Sequence, residues 1–214
     1  MAPEHAEEFI KNGEVLFRSL SFFRDYEDDG VRSDQYEGTR VHRPENGLKI
    51  TNVTTGEELT LPHTFQSTAK ENDIFVCCFS SELSETIAKR FNSASCVEII
   101  DSPKFISMLR AALVRRPSIK NKTLVYGAVK YYALNHPPII DWALPERIAL
   151  SKPESFSWQN EYRIAFAKNN AFAVENVEVN LVPLGMRAKT NVTAHAQYKL
   201  KLGKLGKVCK IHSF

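Results

Sequence analysis

A short segment near residue 160 combines an amide and a carboxylate at a spacing that could do chemistry. It reads Phe156-Ser157-Trp158-Gln159-Asn160-Glu161-Tyr162-Arg163 and leads into an apolar run that predicts a strand over residues 161–167. Side chains two positions apart in an extended segment point to the same side, so we expect Gln159 and Glu161 to face one site. A carboxylate there can accept a sugar hydroxyl or stabilise a developing cation, and an amide can orient an acceptor group. A structural ion pair between Glu161 and Arg163 is the alternative.

Two earlier segments carry groups that could bind an anion or a hydroxyl. Arg18 lies in Val15-Leu16-Phe17-Arg18-Ser19-Leu20, which predicts a strand, and an arginine there is costly to bury unless a carboxylate or phosphate pairs with it. Exposure at a strand edge, with the guanidinium in water, is the alternative. Phe79-Ser80-Ser81 places two hydroxyls at the end of a predicted buried strand, where capping of the next helix explains them without any function.

The order of these motifs resembles the Arg-Ser-Glu type of the ADP-ribosyltransferase superfamily. That family has an arginine on its first strand, an aromatic-serine pair at a second strand, and an aromatic residue followed by Gln-x-Glu before a later strand. The matching residues here are Arg18, Phe79-Ser80-Ser81 and Phe156 to Glu161. The resemblance covers these three short motifs, and this chain has Ser80-Ser81 where members usually have Ser-Thr-Ser.

The resemblance implies an NAD-consuming enzyme and gives each matched residue a role. Arg18 would bind the NAD diphosphate, Ser80 would buttress the nicotinamide-ribose pocket, and Phe79 and Ser81 would also contact the cofactor. Glu161 would hold the ribose 2′-hydroxyl and stabilise the oxocarbenium-like state as nicotinamide leaves. The catalytic residues that the resemblance implies are Glu161, Gln159 and Ser80.

The resemblance also implies a macromolecular acceptor, either a protein or a nucleic acid. Phe156 and Trp158 would help to recognise it. Glutamine at position 159 is associated with acceptors other than arginine, because a neutral amide cannot draw a proton from guanidinium. The segments FRSLSFFRDYEDDGVRSDQYEG and KPESFSWQNEYRI are also similar to a broad set of uncharacterised prokaryotic proteins, some associated with antiviral defence or toxin systems. An effector of that kind implies an inhibitory partner.

The charge of the chain is unevenly distributed, although its total is only +3. No acidic residue follows Glu178, and of the 28 basic residues seven lie after it, so 21 remain against 25 acidic residues in the rest of the chain. A basic segment beside a mildly acidic body could bind nucleic acid or an acidic partner, with Lys199, Lys201 and Lys204 as the contacts. A solvated strand face is the alternative. The second function hypothesis is therefore a non-catalytic binding module.

A dense acidic segment and four cysteines bear on metal binding. Carboxylates as close as Asp25, Glu27, Asp28, Asp29, Asp34 and Glu37 could hold Mg²⁺ for phosphodiester cleavage, although a solvated loop is the favoured interpretation. A metal-dependent nuclease is thus a minor alternative. The cysteines form neither a disulfide framework nor a zinc-ligand spacing, so we predict no metal site: Cys77, Cys78, Cys96 and Cys209.

The elements predict one α+β domain over residues 1–214, with a mixed, mostly antiparallel sheet and a few flanking helices. Helices are predicted at 3–12, after Ser80-Ser81, and from 101 to 116, and an inserted hairpin at 48–61. Most strands are expected in the second half of the chain. The predicted strands are 15–20, 73–79, 96–100, 124–132, 161–167, 174–184 and 198–202.

No apolar run reaches about 20 residues and the first residues are acidic, so we expect a cytoplasmic protein with no membrane contact.

The basic segment yields a test of the binding-module hypothesis. If Lys199, Lys201 and Lys204 contact phosphates, nucleic-acid affinity should fall steeply with salt. Replacing all three by methionine should then flatten the slope of log K against log salt by about 0.9 for each phosphate that is no longer neutralised. Fluorescence anisotropy across a salt series measures this, and binding that is absent or independent of salt would leave these lysines as solvated strand residues.

Overall fold

The computed structural model describes residues 1–25, 31, 33–119, 123–186 and 195–214, which form an α+β fold. The strands are β1 (Glu14–Ser19), β2 (Thr39–His42), β3 (Leu48–Thr51), β4 (Glu58–Leu61), β5 (His63–Thr68), β6 (Ile74–Ser80), β7 (Ser95–Ile99), β8 (Val125–Ala128), β9 (Lys130–Tyr132), β10 (Ser151–Pro153), β11 (Glu161–Ala167), β12 (Glu178–Pro183), β13 (Gln197–Lys201) and β14 (Cys209–Ser213). The α-helices are α1 (Pro3–Asn12), α2 (Leu20–Asp25), α3 (Glu85–Arg90), α4 (Ser102–Val114) and α5 (Pro145–Ala149). Short 3₁₀ turns cover Ile140–Ala143, Glu154–Gln159 and Val174–Asn176.

A five-stranded antiparallel sheet in the order β13-β1-β6-β11-β8 organises the fold. A second antiparallel sheet has the order β12-β5-β2, and β14 pairs with β7. The pair β9–β10 is parallel, so the arrangement is mixed but mostly antiparallel. The exposed hairpin β3–β4 is also confirmed.

The two central strands are the ones that the sequence marks most clearly. β6 and β11 are paired along their whole length, from Ser80 opposite Glu161 to Ile74 opposite Ala167. Both strands are rich in apolar residues without strict alternation, because apolar side chains cover the sheet on both faces. One hydrophobic cluster includes Phe17, Phe75 and Phe166, and the other includes Leu20, Ile74, Val76 and Ala165.

Helix α4 covers the first cluster and begins where its capping residues predict. Asp101 occupies the N-cap and its side chain accepts a hydrogen bond from the Lys104 amide at 2.9 Å, with Pro103 in the first turn. Phe105 and Leu109 lie on its buried face. Helix α1 also has its predicted bounds and ends at Gly13, whose φ of 63° places it in the left-handed region. Among the described residues, no helix is long and apolar enough to cross a membrane.

The predicted cap after β6 is wrong. Helix α3 begins at Glu85 with Ser84 in the N-cap position, several residues after Ser80 and Ser81. The earlier serines instead join β6 to the segment before β11. The Ser80 hydroxyl donates to the Gln159 carbonyl at 3.1 Å, and the Ser81 amide donates to the Asn160 carbonyl at 2.7 Å.

The strand predictions differ from the structure in four further ways. The run 124–132 divides at Val129, whose amide donates to the Glu161 carbonyl, into β8 on the central sheet and β9 beside β10. The run 174–184 begins with a 3₁₀ turn and becomes a strand only at Glu178. Strands are not concentrated in the second half, because β1 to β7 all lie before residue 100. The strands β2 and β5 were missed because their sequences, TRVH and HTFQST, contain no apolar run.

The central aromatic cluster gives a test of the fold. Phe166 is fully buried, and its ring lies 5.1 Å from the Phe17 ring and 5.4 Å from the Phe75 ring between centroids. We expect Phe166→Ala to lower the free energy of unfolding by about 3–5 kcal/mol, because it removes buried apolar area and leaves a cavity. Urea denaturation measures the change. Ile140→Ala is the control, since Ile140 is 83% exposed and its truncation should change stability by less than about 0.5 kcal/mol.

Candidate functional site

A cavity of about 980 Å³ surrounds the C-terminal half of β6. It exists because β1 pairs with β6 only at Arg18–Val76 and Ser19–Phe75, and the two strands then diverge, while β11 remains paired with β6 to its end. The cavity is lined by the residues that the sequence motifs single out, namely Arg18, Phe79, Ser80, Ser81, Gln159 and Glu161. Positions that are far apart in the chain therefore meet at one place.

The cavity has a polar side and an apolar side, as the alternation of side chains along β6 requires. The register places Ser80 opposite Glu161 and Cys78 opposite Arg163, so these four side chains share one face of the sheet with Arg18. The intervening residues of β6 point to the other face. The apolar side is lined by Cys77, Phe79, Ile99, Phe105 and Ile106.

Glu161 is held between two cations. Arg163 Nε donates to its Oε1 at 2.6 Å, and Lys152 Nζ lies 3.0 Å from its Oε2. Burial alone would raise the pKa of Glu161, but the Arg163 and Lys152 charges outweigh it and lower the pKa to about 2. Glu161, which is 5% exposed, is therefore ionised at every ordinary pH. The predicted alternative of an ion pair with Arg163 is present in the structure.

Arg163 is the most constrained group of the site. It is 1% exposed, and its two terminal nitrogens donate to Glu37 Oε1 at 2.6 Å and Oε2 at 2.8 Å. One of them also donates to the Ala149 carbonyl at 2.7 Å. Burial disfavours its charge, yet Glu161 and Glu37 raise the pKa of Arg163 well above its usual value. At least four of the five N–H donors of the guanidinium thus have protein acceptors.

Lys152 joins Glu161 to Gln159. Its ammonium donates to Gln159 Oε1 at 2.8 Å and lies 4.8 Å from the centre of the Phe156 ring. Gln159 Nε2 donates to the Val31 carbonyl at 2.6 Å, so both ends of the amide have protein partners. Gln159 ends a 3₁₀ turn and is not in extended backbone as predicted, but the side chains of Gln159 and Glu161 still meet, at Lys152.

Arg18 is a cation of the cavity without a carboxylate partner among the described residues. Its guanidinium carbon lies 4.1 Å from the centre of the Phe22 ring, and no carboxylate of the described part of the chain is within 4.0 Å. β1 lies between β13 and β6, so Arg18 is not on an edge strand as the alternative supposed, and its half-buried side chain lines the cavity. A guanidinium that lines a cavity is suited to a phosphate or carboxylate of a ligand.

The aromatic residues expected to contact an acceptor lie outside the cavity lining. Phe156 packs against Lys152, and the Trp158 ring lies 5.3 Å from the Phe91 ring, with Arg90 stacked on it at 4.8 Å. Trp158 therefore connects the 3₁₀ turn before β11 to helix α3. In this arrangement both aromatic residues support the segment that carries Gln159 and Glu161.

The basic segment is partly compensated by another strand. Lys199 and Lys201 lie 3.6 Å and 3.1 Å from the carboxylate of Glu14, which β1 places beside them, and Lys204 is exposed. Arg187 and Lys189 lie outside the described residues. The excess of positive charge that the sequence shows in this segment is thus reduced where β13 meets β1.

The acidic segment is not a solvated loop where the structure describes it. Asp34 and Glu37 are each 1% exposed, and Asp25 pairs with Arg24 at 2.9 Å. Burial, and then the Glu37 charge, raise the pKa of Asp34 to about 7. The remaining acidic residues Glu27, Asp28 and Asp29 lie outside the described residues. Within the described ranges, no three His, Cys, Asp or Glu side chains are placed to hold a metal ion.

Comparison of the chain with protein-family models, with curated proteins and with solved structures finds no match. The interpretation of the site therefore depends on its own geometry. That geometry is a cavity with an arginine at one end of its polar side, without a carboxylate partner in the described ranges, and an ionised, cation-bound glutamate at the other.

The buried Asp34 gives a pH-dependent prediction. Its pKa of about 7 in the folded protein exceeds its ordinary value of 3.8, so the native protein loses stability as the pH rises from about 4 through 7. Asp34→Asn carries no charge, and we expect it to be more stable than the native protein by roughly 2–4 kcal/mol at pH 8, with the difference disappearing near pH 4. Urea denaturation at pH 4, 6 and 8 measures it. A difference that is constant over this range would contradict the assignment.

Proposed function

We propose that this protein is an NAD-consuming ADP-ribosyltransferase whose reaction takes place in the cavity beside β6. The observation that carries the proposal is the convergence of Arg18, Ser80 and Glu161, from three strands, on that cavity. The α+β fold with a mostly antiparallel central sheet is compatible with an ADP-ribosyltransferase-like fold. The order of the motifs in the chain and their meeting in space support the same interpretation.

The chemistry of the cavity fits NAD as a substrate. Arg18 offers a planar fork of donors without a carboxylate partner among the described residues, which suits a diphosphate. The apolar side, with Phe79 and Phe105, suits the flat ring of nicotinamide or adenine. A volume of about 980 Å³ lies at the upper end of the range that small-molecule sites occupy.

The reaction breaks the bond between nicotinamide and C1′ of its ribose, and the electron pair leaves with nicotinamide. Positive charge then develops on C1′ and the ring oxygen until a nucleophilic atom of the acceptor bonds to C1′ and its proton passes to water. Glu161 is ionised, so it can accept a hydrogen bond from the 2′-hydroxyl of the ribose and stabilise the positive charge on the ring. Arg163 fixes one of its oxygens, and Gln159 lies close by, since both side chains contact Lys152.

The acceptor in this proposal is a protein or a nucleic acid that reaches the open side of the cavity. We assign the reaction to the cytoplasm, and the four unpaired cysteines support this because they are typical of a reducing compartment. A role as a toxin or antiviral defence effector, with an inhibitory partner, follows from the sequence resemblance alone.

The non-catalytic binding module has less support than the transferase, because Glu14 pairs with Lys199 and Lys201 and so reduces the positive charge of the segment.

The proposal is tested by incubating the purified protein with NAD labelled in its adenylate part, with and without a cell lysate. Protein and nucleic acid are recovered separately and counted, and released nicotinamide is measured by chromatography. Label in one macromolecular fraction identifies the acceptor class, whereas nicotinamide release without lysate indicates NAD hydrolysis. Absence of NAD turnover with every acceptor fraction would overturn the proposal.

Glu161→Gln gives the sharpest prediction for this reaction. The variant keeps the size of the side chain but removes the charge that stabilises the oxocarbenium-like state, so NAD turnover should fall by about 10²-fold or more. The matched control is Glu154→Gln, which makes the same change at an exposed residue outside the cavity lining and should leave turnover unchanged. Thermal denaturation of both variants shows whether they are folded. Unchanged turnover in folded Glu161→Gln would leave Glu161 as a structural ion-pair partner.

A further inference from the structure

The two cations that hold Glu161 differ in their freedom to move. Arg163 is fixed by donor contacts to Glu37, to the Ala149 carbonyl and to Glu161 itself. Lys152 is also buried, but its ammonium has two acceptors among the described residues, Gln159 and Glu161, and lies at the end of a flexible stem of four carbons that lines the cavity. A ligand that enters the cavity therefore has fewer protein contacts to replace at Lys152 than at Arg163.

We propose that Lys152 is an anion-binding residue of the cavity and that Glu161 is its counter-ion only while no anionic ligand is bound. The ammonium moves from Glu161 Oε2 to a phosphate of the ligand, within the reach of its own side chain. This inference depends on the proposed function only for the choice of the cavity as the ligand site. It requires no covalent step.

The movement of Lys152 changes what the cavity can recognise. It frees Gln159 Oε1, which accepts a hydrogen bond from the ammonium at 2.8 Å, and it uncovers Glu161 Oε2, which lies 3.0 Å from the ammonium and accepts no hydrogen bond from the described residues. Both acceptors then suit hydroxyl donors of the ligand. The site accordingly favours a compound that carries phosphate together with free hydroxyls, such as a sugar phosphate or a nucleotide.

Arg18 supplies a second cation on the same face of the sheet. In the strand register Arg18 lies opposite Val76 and Glu161 lies opposite Ser80. The positions of Arg18 and Glu161 are therefore four residues apart along β6, which corresponds to about 13 Å. A ligand of nucleotide length can contact both ends. Inorganic pyrophosphate is shorter and isolates the contribution of Lys152 and its neighbours.

Competition for Lys152 gives a result that a purely structural ion pair does not produce. In the native protein, Glu161 and the ligand compete for one ammonium, so part of the attraction of the ligand is used in separating the ion pair. Replacing Glu161 by glutamine removes the competing charge and leaves Lys152 in place. Anion affinity should therefore rise in the variant in which NAD turnover falls.

The experiment is calorimetric titration of the purified protein with inorganic pyrophosphate at pH 7.5, low ionic strength and without divalent cations. Lys152→Met should weaken binding about tenfold, since it removes one charge-assisted hydrogen bond to the anion. Glu161→Gln should strengthen it about tenfold. The control is Lys130→Met, which removes an equal charge from an exposed lysine paired with Asp141 outside the cavity lining and should change the affinity by less than about twofold.

Urea denaturation of each variant separates an effect on binding from an effect on folding. If Glu161→Gln does not fold, the double variant Lys152→Met/Glu161→Gln removes both charges, and it should bind pyrophosphate as weakly as Lys152→Met. The inference is overturned if the native protein does not bind pyrophosphate, if Lys152→Met binds as Lys130→Met does, or if folded Glu161→Gln binds no more tightly than the native protein. The predicted affinities without any NAD turnover would support the anion site and overturn the transferase proposal.

Discussion

The bidentate contact between Arg163 and Glu37 is the interaction on which the arrangement of the site depends. A guanidinium in the middle of a sheet loses its hydration, and it is tolerated only because Glu37 and Glu161 both pair with it. The contact joins the central strand β11 to a segment that lies 126 residues earlier in the chain. Removal of Glu37 would leave Arg163 with Glu161 as its remaining carboxylate partner among the described residues, so the Glu37 contact stabilises the position of Arg163.

The cavity and the charge network have one geometric origin. β11 follows β6 to its end, and this pairing carries Arg163 and Glu161 to the place where β1 leaves the sheet. The network fills the polar side of the opening near β11, and Arg18 remains on the side of β1. Buried ionic contacts and the cavity are therefore neighbours, and the contacts hold the carboxylate that faces the cavity.

The sequence predicted those features that depend on local pattern. The apolar runs of β6 and β11, the caps of α1 and α4, and the pairing of Glu161 with Arg163 are all encoded within a few residues. Glu37 and Lys152 were not predicted as site residues, because their partners are brought to them by the tertiary fold and no spacing in the chain signals the contact. Glu37 was placed in a solvated acidic loop for that reason. A lone lysine between the apolar residues 148–150 and a proline was the one local signal for Lys152.

The divergence of β1 from β6 also exposes backbone. Beyond Val76, the edge of β6 that faces β1 has no strand partner among the described residues, so its peptide groups border the cavity together with the side chains. Peptide groups are the same whatever residue carries them. Recognition through this edge would persist when the lining side chains are exchanged, so related chains could bind the same part of a ligand while differing in the rest of what they select.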